Sequence, residues 1–256
     1  MTSNERRNDI KRLLNEHSSA TVKQLAQIYH VSESTIRRDL SKISSESGAI
    51  RRTYGGAVML DNLSSDLPIN IREREHTEAK IRIAQTASKL ISDGATIILD
   101  TSSTVTELVP YLRRFDALTV ITNGIKTAYL LNSYSKITTF CTGGRLRKHS
   151  MSLVGSAACK RFEEINADWA FISCRGFTTE KGVTESSDEE AQVKKTMISA
   201  ASKTVLLCDS SKIGQVLMNR VCTYDKLYAV ITDLPLSDDM VSELSSKGVR
   251  LYIAGK

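Results

Sequence analysis

The stretch SESTIRRDLSKI, at positions 32–43, decides the fold of the first part of the chain. Its apolar residues Ile36, Leu40 and Ile43 recur at the spacing of one helical face, and Ser32 precedes them as a candidate N-cap. The opposite face carries hydroxyl and basic side chains, namely Ser34, Thr35, Arg37, Arg38 and Lys42. Such a face suits a helix in the DNA major groove, because its side chains can reach base edges and phosphates. An ordinary solvent-exposed helix has a similar face, so the flanking segments must distinguish it from a helix that binds DNA.

Two helices are predicted upstream of this stretch. Ile10, Leu13 and Leu14 indicate a first amphipathic helix that ends near position 18. Thr21 is a candidate N-cap of a short second helix. The apolar face of that helix consists of Val22, Leu25, Ala26 and Tyr29, before a turn at His30 and Val31. Three helices in this order, the last of them basic, predict a helix-turn-helix.

A basic hairpin is predicted after the third helix. Gly48 can end that helix, and IRRTYGGAV at positions 50–58 indicates a strand, a tight Gly-Gly turn and a second strand. Arg51, Arg52 and Tyr54 lie near its tip, where they can contact a phosphate backbone or the minor groove. The hairpin therefore has the features of a wing.

The net charge of the chain is concentrated in the same region. Positions 1–57 contain ten Lys and Arg against six Asp and Glu, so they carry +4 of the total +6. A basic surface of this kind suits nucleic acid. We therefore predict a winged helix-turn-helix DNA-binding domain at positions 1–58. The alternative is a winged helix that binds another protein.

Length and composition exclude several classes of protein. A chain of 256 residues with 41% hydrophobic residues suits two globular domains, and no apolar run approaches the ~18 residues of a membrane span. The polar start MTSNERRNDI lacks the apolar core of a secretory signal, so we expect a cytoplasmic protein. The five cysteines form no CxxC pair, which favours buried free thiols over a zinc site or a disulfide framework. We expect no metal and no cofactor.

The N-terminal motifs resemble a known family. The run S-x-x-T-I-R-R-D-L from Ser32 and the wing R-x-x-G-G from Arg52 have the order and spacing seen in the DNA-binding domain of the DeoR family of sugar-metabolism regulators. The resemblance spans positions 5–58 and implies double-stranded operator DNA as a partner. One departure is Tyr54, which stands where many members carry His and could alter the wing contacts.

A second domain is predicted after a linker. Positions 59–77 lose the apolar periodicity and contain Pro68 with many charges, as a linker does. Further on, helical stretches alternate with short β-branched runs such as ATIILD at 95–100 and LTVITN at 118–123. This alternation predicts an α/β domain over positions 78–256 with a mainly parallel sheet.

Polar residues just past the predicted strands are candidates for a ligand site, because ligands of parallel sheets bind at the carboxyl ends of strands. Ser102, Ser103 and Thr104 either hold an anion such as phosphate at a helix start or only cap that helix. Gly143 and Gly144 either admit a close backbone approach or serve a plain turn.

Charged residues in the same domain have two interpretations each. Lys212 is a candidate phosphate partner and Asp209 a candidate partner for sugar hydroxyls, or the two form a surface salt bridge. Glu190 and Lys194, four apart on a predicted helix, either belong to the site or form a simple i,i+4 ion pair.

The large domain also resembles the DeoR family, so the resemblance covers almost the whole chain. The segments that match successive blocks of the family's effector domain are LDTSSTVTEL, VITNG, TGGRLRKHSMSLVG, ADWAFISCRGF, KGVTESSDEEAQVKKTMI and LLCDSSKIG. That domain is similar in fold to ribose-5-phosphate isomerase, and the resemblance implies a sensor for a phosphorylated sugar or sugar derivative. Carried over by position, the implied effector contacts are Asp100, Ser102, Ser103, Thr104, Thr122, Asn123, Gly143, Gly144, Arg175, Lys194, Asp209 and Lys212. Ser102 stands where a glycine is frequent in the family. Arg175 lies where members of the family differ, so Arg175 is a candidate for selecting the sugar.

These observations lead to one expected function and one alternative. We expect a repressor of a carbohydrate-utilisation operon whose operator binding responds to a phosphorylated sugar. Because helix-turn-helix proteins bind repeated half-sites, we expect a homodimer or homotetramer. The alternative is a sugar-phosphate enzyme in which Asp209 or a glutamate acts as general base. The basic winged helix has no use in such an enzyme, so we expect no catalysis.

Overall fold

The computed structural model describes positions 1–17, 19–46, 50–59 and 68–255. These residues divide into two compact units, Met1–Glu75 and His76–Lys256. Gly48, predicted to end the third helix, and the linker positions 60–67 lie outside the described residues. Among the residues described, no helix is both long and apolar enough to cross a membrane.

The first unit has the element order of a winged helix-turn-helix. Its elements are α1 Ser3–His17, β1 Ser19–Thr21, α2 Val22–Tyr29, α3 Glu33–Glu46, β2 Ile50–Thr53, β3 Gly56–Met59 and α4 Ile69–Arg72. Most of the predicted core is confirmed, because one face of each of the first three helices supplies buried side chains: Ile10, Leu14, Val22, Leu25, Ile36, Leu40 and Ile43. Leu13, Ala26 and Tyr29, also predicted on these faces, are only partly buried against this core.

Local capping explains where the second helix begins and ends. Thr21 Oγ1 accepts the Gln24 N–H at 3.1 Å, and Gln24 Oε1 accepts the Thr21 N–H at 3.0 Å, so the predicted N-cap forms a capping box. His30 ends α2 in the left-handed conformation, with φ 50°. This sharp stop lets α3 start again in a new direction.

The wing is an antiparallel hairpin that pairs with β1. β2 pairs with β3 from Ile50 opposite Met59 to Thr53 opposite Gly56, and β1 adds on the other edge of β3. Tyr54 and Gly55 form the turn, so Gly56 lies in the strand rather than in the Gly-Gly turn predicted. A Cβ at Gly56 would lie 2.1 Å from the Ala20 carbonyl oxygen, which is why this strand position needs glycine.

Part of the predicted linker is structured. Ile69 and Ile71 of the short helix α4 are buried, and Ile71 packs against Val58 of the wing. This contact places the helix within the first compact unit, which continues to Glu75.

The second unit is an α/β domain, as predicted. Its helices are α5 Thr77–Ser88, α6 Ser103–Thr106, α7 Val109–Leu112, α8 Ile125–Leu131, α9 Ser156–Glu163, α10 Asp188–Ser199 and α11 Asp238–Ser246. Its strands are β4 Thr96–Leu99, β5 Leu118–Thr122, β6 Ile137–Cys141, β7 Arg145–Arg147, β8 Ser152–Val154, β9 Ala167–Ile172, β10 Gly176–Thr178, β11 Gly182–Glu185, β12 Ala201–Leu207, β13 Asn219–Cys222, β14 Ala229–Thr232 and β15 Arg250–Ile253.

A parallel sheet organises this unit. In the part of the chain that the structure describes, seven strands pair in the order β15-β14-β12-β9-β4-β5-β6, all parallel to their neighbours. The chain builds outward from β4 to one side and then from β9 to the other. The strand order therefore reverses between β4 and β9, which is where such sheets bind ligands. Apolar cores cover both faces of the sheet.

Three features differ from the sequence expectations. The helix predicted from Val105 is two short helices, because Pro110 at the start of α7 lacks the N–H that a continuous helix needs. The antiparallel pair β7-β8 and the small sheet β10-β11-β13 have no counterpart in the prediction. All five cysteines are free; Cys174 and Cys208 are buried as expected, but Cys141 is exposed.

Candidate nucleic-acid interface and ligand site

The third helix exposes the side chains that the sequence assigned to DNA. Ser34, Arg37, Arg38 and Lys42 are exposed, and Thr35 is half-buried. All of them lie on the face of α3 opposite the core. The N-terminal turn thus offers hydroxyls, and the next turns offer cations, as the sequence predicted.

Ser32 gathers the hydroxyls at the start of α3. Its Oγ lies 2.8 Å from Ser34 Oγ and 2.9 Å from Thr35 Oγ1, and it accepts the Thr35 N–H at 3.3 Å. Ser32 therefore caps the helix, and its side chain is exposed as well.

Arg37 has a weak intramolecular partner. Its Nη2 lies 3.4 Å from Glu33 Oε2, and both side chains are about half exposed. An exposed i,i+4 pair of this kind is worth about 0.3–0.5 kcal/mol, so DNA can displace Glu33 at little cost.

The wing extends the same exposed surface. Arg51 and Arg52 are exposed, and Tyr54 at the turn is 95% exposed. Arg52 Nη1 donates to Ser41 Oγ at 3.3 Å, which links the wing to α3. We call the exposed face of α3 together with the wing the recognition surface.

Arg6 and Arg7 in the first unit pair with a carboxylate inside the fold and do not belong to the recognition surface. Arg6 Nε donates to Asp39 Oδ2 at 2.6 Å, and Arg7 Nη1 lies 3.6 Å from Asp39 Oδ1. Arg6 and Asp39 are both buried. The sequence counted these arginines with the basic surface, but the structure uses them to hold α1 against α3. Asp39 lies three residues after buried Ile36, so helical periodicity already places it on the core face.

In the second unit, a deep ion cluster lies where the strand order reverses. Asp100 follows β4 and Ser173 follows β9. Asp100 Oδ2 accepts the Ser173 N–H and Lys194 Nζ, both at 2.8 Å, while Asp100 Oδ1 accepts the Ser102 N–H at 2.8 Å. Asp100 therefore organises this edge of the sheet from both of its oxygens.

Lys194 joins two buried carboxylates. Its Nζ lies 2.9 Å from Glu185 Oε1 and also donates to the Ser173 carbonyl at 2.5 Å. Burial by itself would lower the pKa of Lys194, but Asp100 and Glu185 outweigh burial and raise it. Burial raises the pKa of Glu185, and the charge of Lys194 offsets this effect only in part.

Two side-chain partners of Glu190 lie outside α10, the helix that it shares with Lys194. Arg147 of β7 lies 2.6 Å from Glu190 Oε1, and the Ser152 hydroxyl donates to the same oxygen at 2.9 Å. Lys194 contacts Asp100 and Glu185, so Glu190 and Lys194 have long-range partners and do not form only a simple i,i+4 pair, one of the two interpretations of the sequence.

Lys212 is the second cationic centre of this edge. Its Nζ donates to Thr104 Oγ1 and Ser173 Oγ, each at 3.1 Å, and lies 2.9 Å from Asp209 Oδ2. Thr104 and Asp209 are buried, whereas the Lys212 side chain is 17% exposed. The Lys212–Asp209 pair is therefore not a surface salt bridge. Although burial alone would raise the pKa of Asp209, Lys212 and the Ser211 hydroxyl outweigh burial and lower it to about 2.

Asn123 connects the edge to the β7-β8 hairpin. Asn123 Nδ2 donates to the Leu153 carbonyl at 3.0 Å, and the Leu153 N–H donates to the Asn123 carbonyl at 2.7 Å. Because Nδ2 is engaged, Oδ1 is the remaining acceptor; it is buried and has no hydrogen-bond partner among the described residues. Thr122 supports this loop, since its hydroxyl accepts the Gly124 N–H at 3.0 Å.

The remaining predicted contacts are placed less directly. Ser102 caps α6 by accepting the Val105 N–H at 3.2 Å, and Ser103 is buried in the same short helix. Gly143 and Gly144 are exposed with positive φ, and a Cβ at Gly144 would lie 2.6 Å from the Val154 carbonyl oxygen.

Arg175 is half-buried, and its charge contributes to the environment of Glu185. Within the described part of the chain, no group of three or more His, Cys, Asp or Glu side chains is suited to a metal ion.

Comparison with known proteins settles the family. The DeoR-like helix-turn-helix domain matches residues 6–62, and the DeoR C terminal sensor domain matches residues 75–234. The chain belongs to the DeoR family of DNA-binding transcriptional regulators. Both halves of the resemblance drawn from the sequence are thereby confirmed.

Relatives of this DeoR-family regulator match along nearly their whole length. The HTH-type transcriptional regulator GolR of Listeria innocua serovar 6a is 36% identical over 98% of both chains. The HTH-type transcriptional repressor GlcR of Bacillus subtilis is 32% identical over 94% of this chain and 92% of its own. A putative aga operon transcriptional repressor of Escherichia coli O157:H7 is 27% identical over 99% and 95%.

Solved structures resemble the regulator only distantly. Ribose 5-phosphate isomerase A from Methanocaldococcus jannaschii matches with a TM-score of 0.40 and 20% identity over 54% of this chain and 55% of its own. The eIF2B delta subunit of Chaetomium thermophilum matches with a TM-score of 0.46 and 19% identity over 66% and 59%. The first match is the one that the family resemblance implied, but neither is close enough to support an argument about function.

Sequence reasoning missed three residues at the strand ends of this DeoR-family sensor. Ser173 directly follows β9, and the search missed it because the run WAFISC was taken to continue past Ile172. Glu185 and Arg147 lie on short antiparallel strands, so no strand-end rule points to them. Only the fold brings them next to α10.

Proposed function

We propose that this regulator represses a carbohydrate-utilisation operon and that a phosphorylated sugar bound at the strand ends modulates its operator affinity. The observation that carries the ligand proposal is the Lys212 centre. One lysine contacts two hydroxyls and a carboxylate at the edge where parallel sheets bind ligands.

The chemistry of the site suits both ends of a sugar phosphate. Lys212, with Thr104 and Ser173 beside it, offers a cation and hydroxyls to a phosphate. Asn123 Oδ1 and Glu185 Oε2 are buried acceptors without a hydrogen-bond partner among the described residues. Because buried acceptors need donors, sugar hydroxyls are the matching groups.

The DNA proposal rests on the recognition surface. Its contacts are Ser32, Ser34, Thr35, Arg37, Arg38, Lys42, Arg51, Arg52 and Tyr54. Exposed cations and hydroxyls on one helix face fit the major groove, and the wing fits the adjacent backbone. Because operator half-sites repeat, the proposed assembly is a homodimer or homotetramer in the cytoplasm.

The enzyme alternative is disfavoured by the state of Asp209, its named candidate base. A general base needs a pKa near the working pH, but the pKa of Asp209 is lowered to about 2. Turnover of a sugar phosphate by the full-length protein, above background and abolished by Asp209→Asn, would overturn this part of the proposal.

The test measures both ligands on one protein. Operator duplexes are selected from a random pool, and their binding is followed by fluorescence anisotropy with and without a panel of sugar phosphates. We expect a cognate sugar phosphate to weaken operator binding, and DNA to weaken effector binding by the same factor, because linkage is reciprocal. A steep salt dependence of DNA binding is expected from phosphate contacts.

The variant that isolates the sensor is Lys212→Ala. We expect it to bind operator DNA as the wild type does but to lose the response to the sugar phosphate. Lys226→Ala, also a cation of this unit, is the control and should respond normally. A normal response of Lys212→Ala would remove Lys212 from the site, and operator binding that no panel member changes would overturn the sensor proposal.

A further inference from the structure

The lysine of the ligand site lies on a single turn that follows β12. Ser210–Lys212 form this turn, a 3-10 helix whose N-cap is Asp209. Asp209 Oδ1 accepts the Ser211 N–H at 3.2 Å, and the Lys212 N–H donates to the Asp209 carbonyl at 3.1 Å. These bonds alone do not hold the turn in one conformation, because a single helical turn is unfavourable without contacts from outside. The position of Lys212 therefore depends on what else holds the turn.

Asp233 holds the start of the turn from the neighbouring strand. β14 pairs in parallel with β12, and Asp233 directly follows β14. Asp233 Oδ1 accepts the Ser210 N–H at 2.7 Å, and the Ser210 hydroxyl donates to Asp233 Oδ2 at 3.3 Å. The two carboxylate oxygens thus bind one residue of the turn, one through its main chain and the other through its side chain. Hydrogen bonds to an ionised carboxylate are stronger than bonds between neutral groups.

A different sheet fixes the end of the turn. Ile213 forms a parallel bridge with Phe177 of β10. Between the two anchors, Lys212 Nζ donates to Thr104 Oγ1 and Ser173 Oγ, each at 3.1 Å. A lysine side chain is long and flexible, so its ammonium group keeps these two partners only while the turn stays in place.

The charge of Asp233 does not itself favour an anion. A negative charge near Lys212 repels a phosphate, which is the opposite of what an effector contact does. Among the residues described, both side-chain hydrogen bonds of Asp233 go to Ser210. Asp233 can therefore favour anion binding only through the turn that carries Lys212.

We propose that Asp233 is a positioning residue of the effector site, and that its hydrogen bonds to Ser210 keep Lys212 beside Thr104 and Ser173. This inference rests on the proposed function, since it deepens the assignment of the same site. Asp233→Asn keeps both hydrogen bonds, because the amide oxygen accepts the Ser210 N–H and the amide nitrogen donates to the Ser210 hydroxyl. Asp233→Ala keeps neither. The two substitutions therefore separate hydrogen bonding from charge.

The first measurement is anion binding by the full-length protein. Inorganic phosphate is the probe, at constant ionic strength with chloride replaced, and the sugar phosphates of the panel follow. The wild type is compared by calorimetry with Asp233→Ala, Asp233→Asn and the control Asp239→Ala, which removes an exposed carboxylate of α11. Thermal unfolding establishes that each variant is folded at the temperature of the measurement.

The second measurement reports on Lys212 without any ligand. Lysines are acetylated with dilute acetic anhydride, and the rate at each position is followed by mass spectrometry of peptides. The Lys212 side chain is 17% exposed and engaged, so it should react slowly in the wild type. Exposed Lys226 is the internal control for the reagent. A general loss of stability would not raise the rate at Lys212 alone.

We expect Asp233→Ala to weaken phosphate binding about tenfold, as for loss of a hydrogen bond to a charged group, and to speed acetylation of Lys212 several-fold. Asp233→Asn should bind phosphate at least as well as the wild type and keep Lys212 protected. Asp239→Ala should resemble the wild type in both measurements. If Asp233→Ala does not fold, Ser210→Ala, which removes only the hydroxyl bond, should shift both readouts about threefold.

The outcomes separate this inference from the proposed function. If Lys212→Ala loses phosphate binding while Asp233→Ala, or Ser210→Ala in its place, retains it, the role of Asp233 is wrong and the site stands. Weakened binding with an unchanged rate at Lys212 would show that Asp233 does not act through this lysine. A loss in Asp233→Asn equal to that in Asp233→Ala would contradict positioning by hydrogen bonds. If neither phosphate nor any sugar phosphate of the panel binds the wild type, the proposed function fails, and this inference with it.

Discussion

In the DNA-binding unit the side chains assigned to function point outward from one helix and one hairpin, whereas in the sensor unit most are buried between distant segments. Every predicted DNA contact lies within positions 32–54. In the sensor unit, Asp100 and Lys194 are 94 residues apart in sequence, and Thr104 and Lys212 are 108 apart. Residues in the first arrangement can be substituted with little loss of stability, because exposed side chains contribute little to the free energy of unfolding. The second couples ligand binding to stability.

The sharpest test of this difference is Lys194→Met. It leaves Asp100 and Glu185 facing each other without their shared cation, so we expect the free energy of unfolding to fall by about 3–5 kcal/mol. Urea unfolding followed by circular dichroism measures it. The neighbouring Lys195→Met, at a half-buried position, should cost under ~1 kcal/mol. An equally small loss for Lys194→Met would break the comparison.

The DNA-binding unit has one buried ion pair that should behave like the sensor unit. Asp39→Ala leaves Arg6 buried without its partner, so we expect a loss of about 3 kcal/mol. Glu46→Ala on the same helix removes only a surface pair with Lys11 at 3.6 Å and should cost under ~1 kcal/mol. Thermal unfolding and operator binding are both measured. Equal effects of the two variants would show that Asp39 does not anchor α3.

Substitution of an exposed residue of the recognition surface should affect DNA binding and leave stability nearly unchanged. We expect Arg37→Ala to weaken operator binding by about 1–3 kcal/mol with altered sequence preference, because a base contact is lost. Its free energy of unfolding should change by less than ~0.5 kcal/mol, since the pair with Glu33 is exposed. Lys89→Ala in the sensor unit is the control for a lost charge. Unchanged operator affinity of Arg37→Ala would remove this residue from the recognition surface.

The pH dependence of stability offers a smaller test of the sensor unit. The pKa of Asp209 is about 2 in the folded protein against an ordinary 3.8, so its ionised form stabilises the fold above pH 3.8. This contribution is lost as the pH falls through 2. We expect Asp209→Asn to cost up to about 2 kcal/mol at pH 7 and progressively less towards pH 2. The exposed Asp225→Asn should show a much smaller change. A cost that does not depend on pH would contradict the ionic role.

Prediction from sequence succeeded where the pattern of residues within a single helix or strand determines the structure. The core face of α3, its cap Ser32 and the exposed cations follow from the helical period alone. The strands of the parallel sheet were found as well, because β-branched runs mark them. Arg6 was counted with the exposed basic surface although it is buried, because a count of charges does not show which arginine has a buried partner.

The connections across the sensor unit were not predictable in the same way. Glu185 and Arg147 lie on three- and four-residue strands, which are too short to show a period. Lys80 looked like one charged residue among many in TEAKIR. Its burial depends on how α5 packs on the sheet.

The amino-acid sequence by itself determined the family, the winged helix-turn-helix, the α/β class and the residues exposed on α3 and the wing. These properties are encoded by local periodicity, capping and motif spacing, which do not depend on distant contacts. Only the tertiary structure decided that Lys194 joins two carboxylates, that Lys212 contacts Thr104 and Ser173, and that Lys80 is buried. Parallel strands bring their carboxyl ends to one edge whatever their separation in sequence, so the partners of Lys212 follow from strand order. The contact of Lys194 with Glu185 depends instead on how α10 packs beside β11.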